Sequence, residues 1–401
     1  MKSPLAPLPP TAAYLHIPFC RRRCYYCDFA VSVVGDQQRG ETSRAIAQYV
    51  EVLCQEIRAT PNLGLPLQTV FFGGGTPSLL SVAQLQQILA VLEDHFGFAA
   101  AVEISMEMDP GTFARSHLQG YLAAGVNRVS LGVQAFQQEL LAACGRTHTP
   151  EDIETAVALL RQEGVQNLSL DLIAGLPHQT MVDWQESLER AIALQPTHIS
   201  VYDLTVEPVT AFGRWYQPGV APLPTEEATA EMYRTAQRYL TAAGYTHYEI
   251  SNYAKPGFQC RHNRVYWENQ SYYGFGMGAA SYTQLQRFTR PRKRAEYFEW
   301  VNQLQQAAGQ IDCPPTTPEE CWLDTLMLGL RLAEGLALTD LTAQFGQAKV
   351  DQLLQSLASF SQCGWVQFQE APTGKRICLT DPEGFLFSNV VLTHLFNVSS
   401  G

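Results

Sequence analysis

Cys20-Arg21-Arg22-Arg23-Cys24-Tyr25-Tyr26-Cys27-Asp28-Phe29 gathers three cysteines in one short stretch. The C-x3-C-x2-C spacing lets three thiolates turn toward a common centre, and thiolates select soft metals and iron–sulfur clusters. A single zinc ion would want a fourth close ligand, usually Cys or His. His16 is near in sequence, but in an alternating strand it need not point into the loop. A four-iron cluster held by three cysteines leaves one iron open to a small chelating ligand. The plain alternative is a loop of unrelated reduced thiols. Cys54, Cys144, Cys260, Cys313, Cys321, Cys363 and Cys378 lie singly along the chain. That pattern suits reduced cytoplasmic thiols rather than a disulfide framework.

A loop of this kind needs a scaffold, and the chain supplies a regular one. The apolar run 13–19 leads straight into the cysteines. Strand patterns follow at 69–72, 102–108, 128–134, 168–173 and 198–202. Helical spacing fills 44–60, 81–96, 118–124, 151–163 and 181–194. Six strands alternating with helices predict an α/β fold, a partial (βα)6 TIM-like barrel with a lateral opening. In such folds the C-terminal strand ends carry the chemistry. The polar and glycine punctuation falls there: the cysteine loop, 73–76, Glu107, Gln134, Asp171 and Thr205.

Beyond residue 210 the rhythm changes. A helix over 225–243, a strand over 245–250 and an aromatic, glycine-rich stretch over 260–282 precede a basic run, 287–294. That run reads as a surface segment, with a membrane surface or a partner as the alternative contact. After a linker at 314–318, residues 319–396 read as three helices, two short strands around Gly374 and a last helix, an α+β, winged-helix-like order. The expected domains are 1–210, 211–313 and 319–396.

Bulk composition narrows the classes. With 401 residues, 46% hydrophobic, 16% charged and a net charge of −11, this is a globular, mildly acidic chain. That balance is a poor match to nucleic acid. A regulator acting through the C-terminal unit is disfavoured too, because residues 319–396 hold nine acidic and four basic side chains. That unit reads better as packing or homodimer structure. No stretch approaches the ~20 apolar residues of a membrane span, and residues 1–10 lack a signal-peptide core, so a cytoplasmic location is expected.

Cys20, Cys24 and Cys27 together with Gly73-Gly74-Gly75-Thr76-Pro77 resemble the radical S-adenosylmethionine (SAM) superfamily. Further stretches narrow the resemblance to the family of the oxygen-independent coproporphyrinogen III oxidases and HemW, over nearly the whole chain. They are Tyr14-Leu15-His16-Ile17-Pro18-Phe19, Met106-Glu107-Met108-Asp109-Pro110-Gly111, Gly132-Val133-Gln134-Ala135-Phe136 and residues 171–180. The resemblance implies a [4Fe-4S] cluster on the three cysteines. It implies SAM contacts from Tyr14, Gly74, Gly75, Thr76, Glu107, Gln134, Arg146 and Asp171, with a backbone contact from Tyr26. A three-thiolate cluster carries one net negative charge and SAM one positive, so they pair well in a dry site. Carboxylates accept from ribose hydroxyls or an ammonium, while Gln and Arg fix polar edges. The structural alternatives are a strand-end turn for the glycines and helix caps for Glu107 or Asp171.

Two departures separate this chain from the oxidase branch. Phe29 stands where that branch has a fourth cysteine, and only nineteen residues precede Cys20. Both favour the heme-chaperone branch over radical decarboxylation of coproporphyrinogen III. The matching feature is Cys260-Arg261-His262-Asn263-Arg264-Val265-Tyr266-Trp267, an H-N-x-x-Y-W pattern. It makes His262 the expected heme iron ligand, with Asn263, Tyr266 and Trp267 around it. The alternative is an aromatic core patch with a hydrogen-bonded histidine. The branch often carries Gly-Ala-His-Gly shortly afterwards, and here Gly278-Ala279-Ala280-Ser281 stands instead. The partners implied are heme, acceptor hemoproteins (membrane-associated respiratory proteins among them) and a flavodoxin-type electron donor. Arg21, Arg22 and Arg23 would dock that donor, unless they are simply a solvated face.

Overall fold

The computed structural model describes residues 8–372 and 374–399. Residues 1–7, most of the segment expected to lack a signal core, lie outside them. Six strands form the centre: β1 (Ala12–Ile17), β2 (Leu67–Gly74), β3 (Phe98–Met108), β4 (Arg128–Gln134), β5 (Asn167–Ala174) and β6 (His198–Asp203). Each pairs in parallel with the next in chain order. Five helices make the crossovers: α1 (Arg44–Ala59), α2 (Val82–Phe96), α3 (Arg115–Ala123), α4 (Pro150–Gln162) and α5 (Met181–Ala193). Four of them start where a hydroxyl accepts from the backbone N–H three residues on: Ser43, Ser81, Thr149 and Thr180. Such caps satisfy donors that a helix start leaves bare, and they fix where each return begins.

The strands alternate in an unusual sense for a parallel sheet, which normally reads as continuous apolar runs. Val70, Phe72, Ile104, Met106, Val129, Leu131, Leu168, Leu170, Ile199 and Val201 pack into the main core with the helices. The residues between them, including Thr69, Glu103, Ser105, Arg128, Ser130, Ser169, His198 and Ser200, are buried and polar. Period-two alternation sends these to the opposite face, the inside of the barrel. The helices therefore shield an apolar outer face, and the interior is left for polar chemistry.

After β6 comes α6 (Glu226–Ala242), and three more strands, β7 (Thr246–Glu249), β8 (Asn252–Ala254) and β9 (Tyr273–Phe275), extend the sheet. Its order is β9-β1-β2-β3-β4-β5-β6-β8-β7, with β9 parallel to β1 and the β8 and β7 pairings antiparallel. The order is linear, so the barrel stays open, in agreement with the partial barrel expected. The edge strands are only partly legible in the sequence, because three- and four-residue strands carry little pattern.

The C-terminal unit has helices at Pro318–Gly329, Leu338–Phe345 and Gln347–Ser356, a hairpin of Val366–Ala371 with Gly374–Leu379, and a final helix, Ser388–Ser399. Leu336–Ala337 adds a third short strand to that hairpin. Trp322, Leu326, Leu353, Ile377 and Val391 build a second apolar core. Backbone bonds tie the unit to the barrel, from Ile250 N–H to Arg331 O (3.0 Å) and from Ala333 N–H to Tyr248 O (3.0 Å).

The basic run 287–294 lies at the surface as expected, with Arg287, Arg292, Lys293 and Arg294 exposed, and Arg290 is the exception. Arg290 is buried and pairs with the buried Glu56 at 2.7 Å, and Glu56 also accepts from Tyr297 Oη at 2.6 Å. Arg287 pairs with Asp324 at 2.9 Å. Arg292 donates to the Asp28 carbonyl beside the cysteines. Arg290 alone turns inward, where the Glu56 carboxylate neutralises it. Among the described residues, no helix is long and apolar enough to cross a membrane.

Candidate functional site

The cysteine loop leaves the C-terminal end of β1 and is held from several sides. Tyr25 N–H donates to Cys144 O and Phe212 N–H to Tyr25 O, both at 3.0 Å. The three arginines act locally. Arg21 donates to Gly111 O at 3.1 Å, Arg22 pairs with Asp36 at 2.8 Å, and Arg23 donates to Cys27 O and Phe29 O at 3.2 Å. His16 turns away from the thiols. Its Nε2 bonds Ala30 O at 2.9 Å and its Nδ1 bonds Tyr14 Oη at 3.1 Å.

All three thiols line one cavity of about 390 Å³ at the C-terminal strand ends. They feel one another, since the charge of Cys24 and of Cys27 acts on Cys20. Burial, and then Asp109, push the Cys20 thiol up to about 12. The Thr76 hydroxyl opposes this rise. Arg146 Nη1 lies 3.7 Å from Cys24 Sγ. Its Nη2 pairs with Asp109 and donates to Gly132 O at 2.9 Å. Among the described residues, no set of three or more His, Cys, Asp and Glu converges tightly enough for a single metal ion. Three thiols spread around a cavity beside a buried guanidinium fit a multi-iron cluster instead.

Of the residues expected to contact SAM, Tyr26, Gly74, Gly75, Thr76, Glu107, Gln134, Arg146 and Asp171 line this cavity. Tyr14 stands behind it, stacked on Phe71 at 6.2 Å, with its ring edge 3.0 Å from where a Cβ on Gly73 would be. Gly74 has φ +107°, and a Cβ there would meet His16 Cε1 at 2.3 Å. This glycine is therefore demanded by its own backbone and by His16. Its N–H donates to Glu107 Oε2 at 2.9 Å. Burial, and then Asp171, raise the Glu107 carboxyl to about 8. Gln134 sits at φ +68°, where the β4–β5 register slips. A non-glycine residue there stores roughly 1–3 kcal/mol and persists only if its surroundings enforce it.

The H-N-x-x-Y-W residues lie elsewhere. They form α7 (Arg261–Trp267), and His262 N–H and Arg261 N–H donate to Glu103 at 3.3 and 3.4 Å. Glu103 pairs with Thr69 near the strand starts, so α7 closes the end of the barrel opposite the cavity. His262 is 1% exposed and stacks on Phe71 at 5.2 Å. Its Nδ1 bonds Thr69 Oγ1 and its Nε2 bonds Tyr266 Oη, both at 2.8 Å. Asn263, Tyr266 and Trp267 are half-buried. This is the geometry of a hydrogen-bonded core histidine. With α7 in this position both ring nitrogens are occupied by protein partners.

The structure adds residues that sequence reasoning had not singled out. Asp109 pairs with Arg146 and accepts from Thr76 Oγ1 at 3.1 Å. Ser130 donates to both Asp171 oxygens at 3.0 Å, and Ser169 to one at 3.2 Å. Their signal was available. Asp109 lies in the turn after Glu107, and both serines sit on the inward strand register.

The Radical SAM superfamily matches residues 14–191, and the HemN C-terminal domain matches residues 316–387. A heme chaperone HemW from Synechocystis is 48% identical over 401 residues, covering 97% of both chains. HemW from Mycobacterium tuberculosis is 35% identical over 98% of this chain and 97% of its own. HemW from Escherichia coli is 41% identical over 68% of this chain and 70% of its own. Among solved structures, the radical SAM enzyme coproporphyrinogen III oxidase (HemN) from Escherichia coli superposes with a TM-score of 0.80. It is 25% identical and covers 96% of this chain and 90% of its own.

Proposed function

The chain belongs to the HemW family of heme chaperones within the radical SAM superfamily, and we propose that its strand-end cavity holds a [4Fe-4S] cluster and SAM while the protein carries heme to acceptor hemoproteins. The observation that carries this reading is the convergence of three thiols, two half-buried carboxyls and the Arg146–Asp109 pair on one cavity. Cys20, Cys24 and Cys27 would ligate the cluster, whose open iron supplies a chelating position for SAM. Gly74, Gly75 and Thr76 would shape one wall. Glu107 and Asp171 would accept from the ammonium or ribose, and Arg146 would keep the thiolate side electrically balanced.

The oxidase reading loses support at Phe29, which occupies the fourth cysteine position with its side chain more than half exposed. One preparation separates the two readings. After anaerobic reconstitution with iron and sulfide, the expected result is heme binding with no coproporphyrinogen III turnover in the presence of reductant and SAM. Turnover would overturn the choice.

His262 remains the proposed iron ligand, with Asn263, Tyr266 and Trp267 around it, on the condition that α7 leaves the barrel end. His262→Ala is then expected to lose the heme Soret band, and uptake by the unmodified chain should be slow. An unchanged band and affinity would reject His262. For electron supply we propose an acidic flavodoxin-type donor at the arginine face. Because Arg21 and Arg23 also hold loop carbonyls, Arg22→Glu is the informative change. It should slow cluster reduction and flatten its salt dependence; an unaffected rate rejects the docking role.

A further inference from the structure

A hydrogen-bonded chain runs through the barrel from the cavity to α7, and none of its inner members touches the cavity. Ser169 Oγ donates to Asp171 at 3.2 Å and also lies 2.8 Å from His198 Nδ1. His198 Nε2 is 2.9 Å from Tyr248 Oη, and Cys260 N–H donates to that oxygen at 3.3 Å. Ser169, His198 and Cys260 are fully buried and Tyr248 is 1% exposed, so water cannot reorder them.

Counting donors fixes the direction of the chain. With Asp171 ionised it can only accept, and the Ser169 hydroxyl proton goes to it at 3.2 Å rather than to Ser200 Oγ at 3.5 Å. The Ser169 oxygen must then accept from His198, which places the imidazole proton on Nδ1. The bare Nε2 accepts from the Tyr248 hydroxyl, whose oxygen takes the Cys260 N–H. A second proton on His198 is opposed by burial and by the buried Arg128 guanidinium in the same interior. Every donor along the chain therefore points toward Asp171. Glu107, by contrast, has one backbone donor, from Gly74.

We propose that Ser169, His198 and Tyr248 are positioning residues that hold Asp171 as an ionised acceptor aimed into the cavity, with His198 locked in its Nδ1–H tautomer. The consequence for ligand binding rests on the reading of the cavity as a SAM site. The other groups around Asp171 are Glu107 from β3, Arg128 and Ser130 from β4, and Ser200 and Tyr202 from β6. Burial pushes the Asp171 carboxyl up and Glu107 repels its charge, while Ser200, Ser130, Arg128 and Ser169 favour the charged form and limit that rise. The two carboxyls thereby divide the work: Asp171 stays a fixed acceptor, and Glu107 adjusts its protonation to the ligand.

The test starts with ring-nitrogen NMR on the cluster-loaded full chain, with the His198 signal assigned by its loss in His198→Asn. The Nδ1–H tautomer is expected, and an Nε2–H tautomer overturns the proposal. Calorimetric titration with SAM is the second readout. Ser169→Ala and His198→Phe should each weaken binding by about tenfold, the loss of one hydrogen bond to a charged group. His198→Asn should bind nearly as the unmodified chain, because its amide N–H reaches Ser169 from the Nδ1 position. The pH below which binding fails should move upward in Ser169→Ala and stay in place in His198→Asn. Equal losses in the Asn and Phe variants overturn the positioning role. Unchanged SAM binding in Asp171→Asn overturns the cavity reading itself, and the role of the chain with it, whatever the tautomer.

Discussion

Glu107→Gln is expected to make the ligand-free protein more stable at pH 8 and, in the same variant, to weaken SAM binding. Burial and the neighbouring Asp171 raise the Glu107 carboxyl from 4.5 to about 8. Between those values the folded chain holds a proton that the unfolded chain has released. The folded state thus binds more protons, and stability falls as pH rises from about 5 to about 8. A neutral amide removes that slope and can still accept from Gly74 N–H. Water in the cavity lessens the penalty, so a gain on the order of 1–2 kcal/mol at pH 8 is expected rather than the full value the shift would imply. SAM affinity should drop roughly tenfold or more, because a hydrogen bond from a cationic or hydroxyl donor to a carboxylate is lost. Melting temperatures from pH 5 to 8 and a SAM titration check both halves. Parallel pH slopes in the two proteins would reject the assignment of the raised carboxyl.

Arg146→Ala should cost about 2 kcal/mol of stability and most of the iron and sulfide retained on reconstitution. Removing one partner of a buried pair costs roughly 3–5 kcal/mol, and the lower figure reflects the 28% exposure of Asp109. The guanidinium holds three groups together, namely Cys24 Sγ, Asp109 and the Gly132 carbonyl. In the double variant Arg146→Ala/Asp109→Asn the unpaired carboxylate is gone, so stability should return in large part. Iron content should not return, because the positive charge beside Cys24 is still missing. Recovery of both, or of neither, would show that Arg146 does not couple the turn after β3 to the thiols.

Heme binding at His262, as proposed, would require the two ends of the barrel to cooperate. The cavity lies at the C-terminal strand ends and α7 at the opposite end. The path between them is direct: Tyr14 stacks on Phe71, and Phe71 on His262. On its other side α7 meets the C-terminal unit through Arg264 with Glu334 and through Arg331 over Trp267 at 5.6 Å. Movement of α7 would therefore be felt by both the cavity and that unit.

What the sequence determined by itself is whatever is written within a few residues. The cysteine spacing named a cluster with an open iron. Period-two strands between capped helices named a parallel, open barrel, and the strand-end polar residues marked the cavity that Glu107, Gln134 and Asp171 line. What only the tertiary structure decided depends on groups far apart in the chain. Arg146 meets Asp109 across 37 positions, Arg290 meets Glu56 across 234, and His262 meets Thr69 across 193. No local periodicity records such pairs, because each half looks like an ordinary charged or polar residue until folding removes the water around it. The same holds for the three arginines of the cysteine loop: their charge was legible, but their carbonyl and Asp36 partners were not. The loop thus specified its own chemistry, while the fold supplied the electrostatics that make the chemistry possible.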